Sequence, residues 1–116
     1  MHEVFIATEI IEIVEESARQ ANAENVDNIE LEIGELSGIE IEALKMALDI
    51  SSRNTMADGA TIKIHHIKGE AHCLDCGRDS AISELFSICP DCNSYRMNIV
   101  KGKEMRIKSI TIVHDD

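Results

Sequence analysis

Four cysteines in two Cys-x-x-Cys pairs constrain this chain more than any other feature of its sequence. Cys73 and Cys76 form the first pair, Cys89 and Cys92 form the second, and twelve residues separate the pairs. A Cys-x-x-Cys turn directs two sulfurs at one centre, and two such turns complete the tetrahedron that Zn²⁺ favours. The pattern therefore predicts a four-thiolate zinc site. Because the four thiolates fill the coordination sphere, we expect a structural rather than a catalytic metal.

The charge is distributed unevenly along the chain, which carries a formal net charge of -11. Residues 1–50 hold thirteen acidic residues against two basic ones, whereas residues 51–116 hold nine of each. An acidic surface repels phosphate backbones, so the composition argues against nucleic-acid binding despite the ribbon-like cysteine spacing. The acidic first half could bind a metal cation or a basic partner. It could equally be a solvated face that keeps the protein soluble.

The sequence shows neither a membrane span nor a secretion signal, and this indicates the compartment. No apolar run approaches the roughly twenty residues of a membrane span, and the first residues have no basic region of the kind that opens a secretion signal. We therefore expect a cytoplasmic protein without a membrane partner. In the cytoplasm thiols stay reduced and free to hold a metal.

Hydrophobic periodicity predicts the order helix, strand, helix, strand, cysteine module, strand, over residues 6–21, 28–33, 39–51, 61–67, 69–102 and 104–113. Ser37 and Glu40 have the Ser-x-x-Glu form of a capping box at the start of the second helix. The strands on either side of the module could pair as a long hairpin. These elements predict an α+β fold, with two helices on one face of a three-stranded sheet and an inserted zinc-ribbon-like domain held by the four cysteines.

The histidines are the other candidate ligands. His65 and His66 are adjacent on a strand, so they point to opposite faces and cannot chelate one ion together. His72 adjoins Cys73, where it would orient a thiolate or simply be exposed. His2 can combine its imidazole with nearby backbone nitrogens in one plane, a donor set that suits Ni²⁺ or Cu²⁺, although many proteins carry an early histidine by chance. The chain has no phosphate loop, nucleophile elbow or His-Glu-x-x-His motif, so we expect no enzyme.

Taken together, several segments resemble the HypA/HybF family of nickel metallochaperones for [NiFe]-hydrogenase maturation. They are Met1-His2-Glu3 with the helix behind it, Glu32-Ile33-Gly34-Glu35-Leu36-Ser37, the two cysteine pairs and the closing strand. The resemblance covers essentially the whole chain in one register. A Met-His-Glu start combined with these cysteine pairs is far more specific than either feature alone.

The resemblance implies that nickel and zinc bind to two different domains. Residues 1–68 and 103–116 would form a nickel-binding α+β domain, and residues 69–102 would form the zinc-binding domain. Exchangeable Ni(II) would be held by the His2 imidazole and the backbone nitrogens of His2 and Glu3, with a carboxylate that matches Glu40. Zn(II) would be structural. The implied partners are a HypB-type GTPase and the hydrogenase large-subunit precursor.

Two alternatives belong to other functional classes. Cys73-Leu-Asp-Cys76-Gly77 and Cys89-Pro-Asp-Cys92 also resemble the iron-binding knuckles of a rubredoxin-like electron carrier. Rubredoxins pack an aromatic core, however, and this chain has only Phe5, Phe86 and Tyr95 and no tryptophan. The second alternative is a zinc-ribbon scaffold that binds other proteins without carrying nickel. A pair of disulfides is the remaining interpretation of the cysteines, although loops so short gain little stability from closure.

Overall fold

The computed structural model describes residues 2–114, which form two helices and six strands. In chain order these are α1 (His2–Gln20), β1 (Asn25–Gly34), α2 (Ile41–Ser51), β2 (Thr61–Ile67), β3 (Glu70–Cys73), β4 (Asp79–Ala81), β5 (Met97–Lys101) and β6 (Met105–Val113). The strands make two three-stranded sheets, ordered β2-β1-β6 and β4-β3-β5. The predicted α+β fold is confirmed. The second sheet was not predicted, because strands of three to five residues are too short for a periodic pattern to show.

In the sheet formed by β2, β1 and β6, strand β1 is the central strand. The Glu24 N–H donates to the Val113 carbonyl (2.9 Å), and the Gly34 N–H donates to the Glu104 carbonyl (2.7 Å). The start of β1 thus meets the end of β6, so the two strands run antiparallel. The expected hairpin between the strands that flank the cysteine module is therefore wrong, since β1 lies between them. Ile29, Leu31 and Ile33 of β1 are fully buried and alternate with polar residues, so the central strand buries one face.

Strands β1 and β2 run parallel and are connected through α2. The Val26 N–H donates to the Met56 carbonyl (2.9 Å) ahead of β2, and the Glu35 N–H donates to the Ile67 carbonyl (2.7 Å) at its end. A parallel pair needs a crossover connection, which α2 provides.

Helix α1 begins at His2, four residues before the start that periodicity predicted. Its buried stripe also differs from the apolar spacing of this segment, in which Ile10, Ile13 and Val14 recur at helical steps. Ile11 is buried, whereas Ile13 is 54% exposed. Ile10 and Ile11 both lie within the stripe, which is wider than a single row, and Ile13 falls outside it.

The N-terminus of α2 corrects the predicted capping box. Glu40, not Ser37, is the N-cap: its backbone is extended and its Oε2 accepts a hydrogen bond from the Ala43 N–H (2.6 Å). The flanking positions Ile39 and Leu44 are both buried, the arrangement typical of a hydrophobic staple. The helix therefore starts at Ile41, two residues later than predicted, and its N-cap is a Glu rather than the more common Ser.

The chain divides into two compact units, each with its own core. The helical unit comprises the residues up to Leu31, Ile39–Ile64 and the residues from Ile107 onward. Its core is formed by apolar side chains of both helices and of β1, including Ile6, Ile10, Val14, Ile29, Leu31, Leu44 and Leu48. No helix within residues 2–114 is long and apolar enough to cross a membrane.

The cysteine unit comprises Glu32–Gly38 and His65–Arg106. Its apolar core is small. Leu36, Ala71 and Ile82 are buried together, and Met97 and Ile99 pack against them. Leu36 thus comes from the segment that follows β1, far in sequence from the cysteines. So few buried side chains do not normally stabilise a unit of this size without a further cross-link or metal.

Candidate metal centre

The two Cys-x-x-Cys turns have the same local geometry. We call residues 73–76 the first knuckle and residues 89–92 the second knuckle. In the first, the Cys73 carbonyl accepts a hydrogen bond from the Gly77 N–H (2.9 Å), and in the second the Cys89 carbonyl accepts one from the Asn93 N–H (2.9 Å). Gly77 and Asn93 both have positive φ, 76° and 62°. Glycine and asparagine tolerate this conformation best, which explains why those residue types follow the two pairs.

The four sulfurs lie at the spacing of a tetrahedral metal site. The Sγ atoms of Cys73 and Cys92 are 3.5 Å apart, those of Cys76 and Cys89 are 3.7 Å apart, and all four lie within 4.8 Å of one another. Four sulfurs about 2.3 Å from a central Zn²⁺ would be about 3.8 Å apart. All four cysteines are free, so the structure does not contain the alternative disulfides. Each close pair joins one knuckle to the other.

Local hydrogen bonds favour a thiolate at this site. The Cys76 N–H donates to Cys73 Sγ (3.4 Å), and this bond is the main reason that the pKa of Cys73 is lowered to about 6, against the opposing effect of burial. At Cys92 the Ser94 N–H lowers the pKa, but contacts with neighbouring thiols, Cys73 first, outweigh it and raise the pKa to about 12. Closely spaced thiols cannot all ionise unless a cation offsets their charge, which is the donor chemistry that Zn²⁺ satisfies.

An Asp side chain in each knuckle faces the segment that follows the other knuckle, and sequence reasoning missed these contacts. Asp75 Oδ1 accepts from Arg96 Nη1 (2.8 Å), and Asp75 Oδ2 accepts from the Ser94 hydroxyl. Asp91 Oδ1 lies 3.7 Å from Arg78 Nη1. The available signal was an Asp at the third position of both Cys-x-x-Cys pairs, each pair being followed within four residues by an Arg.

His72 lies on β3, directly opposite Asp79 of β4. Its Nδ1 is 2.6 Å from Asp79 Oδ1, and the imidazole is 42% exposed. The imidazole is therefore held by a carboxylate across the strand pair. His65 is half-buried and His66 is exposed, so the two adjacent imidazoles differ in their exposure to solvent.

The predicted nickel residues lie at the start of α1 and at the N-cap of α2, both within the helical unit. His2 is exposed, and Glu3 is half-buried. Glu3 Oε2 accepts a hydrogen bond from the Glu40 backbone N–H (3.1 Å), which is the main reason that the pKa of Glu3 is lowered. The structure thus brings Glu3 and Glu40 into direct contact. Met1, which opens the Met-His-Glu segment that carries the family resemblance, lies outside the described residues.

Within residues 2–114, the four cysteines are the only group of three or more His, Cys, Asp or Glu residues whose ligand atoms lie within 4.8 Å of one another. The side chains of His2, Glu3 and Glu40 do not form such a group. A nickel site there would depend on backbone nitrogens.

Comparison with protein families identifies one family along nearly the whole chain. Residues 1–112 match the family described as hydrogenase/urease nickel incorporation, metallochaperone, HypA. The hydrogenase maturation factor HypA of Parabacteroides distasonis is 48% identical over 112 residues, which cover 97% of each chain. The protein of the same name from Alkalilimnicola ehrlichii is 40% identical, covering 97% of this chain and 99% of its own.

Solved structures support the same fold. The solution structure of the Ni metallochaperone HypA from Helicobacter pylori matches with a TM-score of 0.69 at 24% identity, covering 97% of this chain and 98% of that one. A second solution structure of a HypA protein matches with a TM-score of 0.72 at 25% identity, covering 99% and 98%. From the family match, the sequence identity and the shared fold together, we conclude that the chain belongs to the HypA family of nickel metallochaperones for hydrogenase maturation.

Proposed function

We propose that this protein binds Ni(II) at the start of α1 and delivers it for the maturation of [NiFe]-hydrogenase, while a structural Zn(II) ion holds the cysteine unit together. The family match is the observation that carries this proposal, because it runs from residue 1 to residue 112 and so includes His2 as well as all four cysteines. A match confined to the cysteine module would support only a zinc ribbon.

In the proposed nickel site, the donors are the His2 imidazole and the backbone nitrogens of His2 and Glu3, with the Glu40 carboxylate as a further ligand. Imidazole and backbone nitrogens in one plane suit Ni(II) electronically, whereas Zn(II) gains nothing from that geometry. The Glu3 carboxylate would help to position Glu40, since it accepts a hydrogen bond from the Glu40 backbone N–H. Glu40 already uses Oε2 to cap α2, which leaves Oε1 as its candidate ligand atom.

The four cysteine thiolates would hold the zinc ion. Bound Zn(II) would stabilise the cysteine unit by cross-linking its two knuckles. It would not be catalytic, because four thiolates leave no coordination position for a substrate. The need for it follows from the small core around Leu36, Ala71 and Ile82. We assign nickel binding to residues 1–68 and 103–116 and zinc binding to residues 69–102, with Leu36 contributing to the core of the zinc-binding part.

Delivery requires partners, and family membership supports a HypB-type GTPase and the hydrogenase large-subunit precursor. Both are consistent with a cytoplasmic, non-enzymatic carrier that exchanges its metal by protein contact. Nickel binding should weaken as the pH falls, because its nitrogen donors must be deprotonated.

Native mass spectrometry during nickel titration tests the proposal. We expect the wild-type chain to carry one zinc ion and to take up one nickel ion. His2→Ala should keep the zinc and lose the nickel, whereas His66→Ala, which changes an exposed histidine on β2, should keep both. Nickel uptake by His2→Ala equal to that of the wild type would overturn the assignment. Residues added ahead of Met1 should leave nickel uptake unchanged if the backbone nitrogens of His2 and Glu3 are the donors, and should abolish it if the terminal amine is a donor instead.

The same sample separates the alternatives. A rubredoxin-like carrier would contain iron and be coloured, whereas the zinc-loaded protein should be colourless. A scaffold without nickel would retain its function in hydrogenase maturation when His2 is replaced.

A further inference from the structure

The segment that follows the second knuckle is attached to the first knuckle by three hydrogen bonds. The Leu74 N–H donates to the Arg96 carbonyl (2.9 Å), the Arg96 guanidinium donates to Asp75 Oδ1 (2.8 Å), and the Ser94 hydroxyl donates to Asp75 Oδ2. Ser94 is itself oriented, because its Oγ accepts a hydrogen bond from the Arg96 N–H (2.9 Å). Both oxygens of the Asp75 carboxylate are therefore engaged by one short segment.

The corresponding contact between the second knuckle and the segment that follows the first knuckle is longer and much weaker. Asp91 occupies the same place in the second knuckle as Asp75 in the first, but its carboxylate lies 3.7 Å from the Arg78 guanidinium, beyond hydrogen-bonding distance. The two knuckles are thus alike in sequence and backbone geometry and unlike in how they are held. Asp91 provides a matched control for Asp75.

The position of Asp75 connects this contact to the sulfurs. Asp75 lies between Cys73 and Cys76 in the chain, and Ser94 follows Cys92 by two residues. The sulfurs of Cys73 and Cys92 form one of the two close pairs across the knuckles. Separation of the knuckles would therefore stretch the Asp75 contacts at the same time as the sulfur cluster.

We propose that Asp75 is a positioning residue that holds the second knuckle against the first and thereby slows the release of zinc. The inference rests on the proposed function in that it takes zinc as the bound ion. Asp75 and Arg96 are 42% and 68% exposed, so solvent screening limits the contribution of the pair to overall stability. Its effect should appear in metal release, since the contacts must break as the knuckles part.

Zinc transfer to a chromogenic chelator, measured on the zinc-loaded full-length protein, tests the proposal. We expect Asp75→Ala to speed release roughly five- to tenfold, the effect of losing charge-assisted hydrogen bonds at a partly exposed site. Asp91→Ala should change the rate less than about twofold. Asp75→Asn retains an acceptor for Ser94 and should restore part of the slow release, and Arg96→Gln should resemble Asp75→Asn.

A second measurement separates positioning from a general loss of stability. In the cobalt-substituted protein, the visible absorption bands report the geometry of the four thiolates, and we expect Asp75→Ala to shift or broaden them while Asp91→Ala leaves them unchanged. Equal release rates and equal spectra for Asp75→Ala and Asp91→Ala would overturn the proposal. A wild-type chain that binds no zinc would instead overturn the proposed function. If Asp75→Ala does not fold, Asp75→Asn and Arg96→Gln decide the question by the same two measurements.

Discussion

The Glu3 carboxylate accepts a hydrogen bond from the backbone N–H of Glu40, at 3.1 Å, across 37 residues of sequence. The contact fixes the first turn of α1 against the residue that caps α2. Two residues that the family resemblance implies in nickel binding are thereby in direct contact. The contact gives a way to test whether their arrangement matters for nickel binding.

Replacing Glu3 should weaken nickel binding without affecting zinc. Glu3→Ala removes the acceptor for the Glu40 N–H, and the loss of one hydrogen bond corresponds to roughly a three- to tenfold lower affinity. Calorimetric nickel titration of the zinc-loaded protein measures the change. Glu9→Ala is the control, because Glu9 is an exposed acid on the same helix. An equal loss of affinity in both variants would indicate a general charge effect instead.

The two proposed roles of Glu40 can be separated by substitution. Glu40→Asn retains a good N-cap but no carboxylate, whereas Glu40→Ala removes both. We expect both variants to lose nickel affinity and only Glu40→Ala to lose stability, by about 1 kcal/mol in the free energy of unfolding. Nickel titration and urea unfolding measure the two effects. Wild-type affinity in Glu40→Asn would show that Glu40 is a helix cap and not a ligand.

Removal of zinc should unfold the cysteine unit and leave the helices in place. The buried core of that unit is small, so its fold depends on the metal. Helices α1 and α2 belong to the other unit, and their far-UV circular dichroism should persist after chelation. Amide hydrogen exchange should accelerate in β3, β4 and β5 and recover when zinc is added back. Unchanged exchange in these strands after complete zinc removal would contradict a structural role.

Gly34→Ala should destabilise the protein strongly. A Cβ at Gly34 would lie 1.9 Å from the Gly102 carbonyl oxygen, and a Cβ at Gly69 would lie 2.3 Å from the Ile82 carbonyl oxygen. Backbone atoms cannot move aside easily, so we expect a loss of about 3 kcal/mol or more for Gly34→Ala in urea unfolding. Gly59→Ala is the control. Gly59 has positive φ but open space around it, and its replacement should cost about 1 kcal/mol.

Close packing also accounts for the glycines at the two ends of the cysteine module. Gly69 and Gly102 are both buried, and a Cβ at Gly102 would lie 2.7 Å from the Gly69 Cα. These glycines permit close approach of two backbone segments. Their presence at the ends of an inserted module is explained by packing and does not require a hinge.

Local patterns in the sequence were sufficient for much of the fold. Alternation predicted β2 over its observed span, helical spacing predicted both helices, and the cysteine spacing predicted a cluster that the structure forms. Each of these depends on residues close together in sequence, where the periods of helix and strand and the geometry of a Cys-x-x-Cys turn are decided by local sterics. The position of His2 in the sequence made it a candidate ligand, and family resemblance strengthened that interpretation and added Glu3 and Glu40.

The tertiary structure decided what depends on distant residues. It placed β1 rather than a hairpin partner beside β6, made Glu40 the cap of α2, brought Glu3 to Glu40, and joined Asp75 to Ser94 and Arg96. Strand order and long-range side-chain contacts depend on which apolar faces are buried against each other. Local patterns in one sequence do not reveal those pairings. The spacing of the four cysteines by itself predicted a cluster that could hold a metal ion, because a Cys-x-x-Cys turn is a local structure. Only the packed chain brought Asp75 to Ser94 and Arg96 beside that cluster, because those contacts join residues 19 and 21 positions apart.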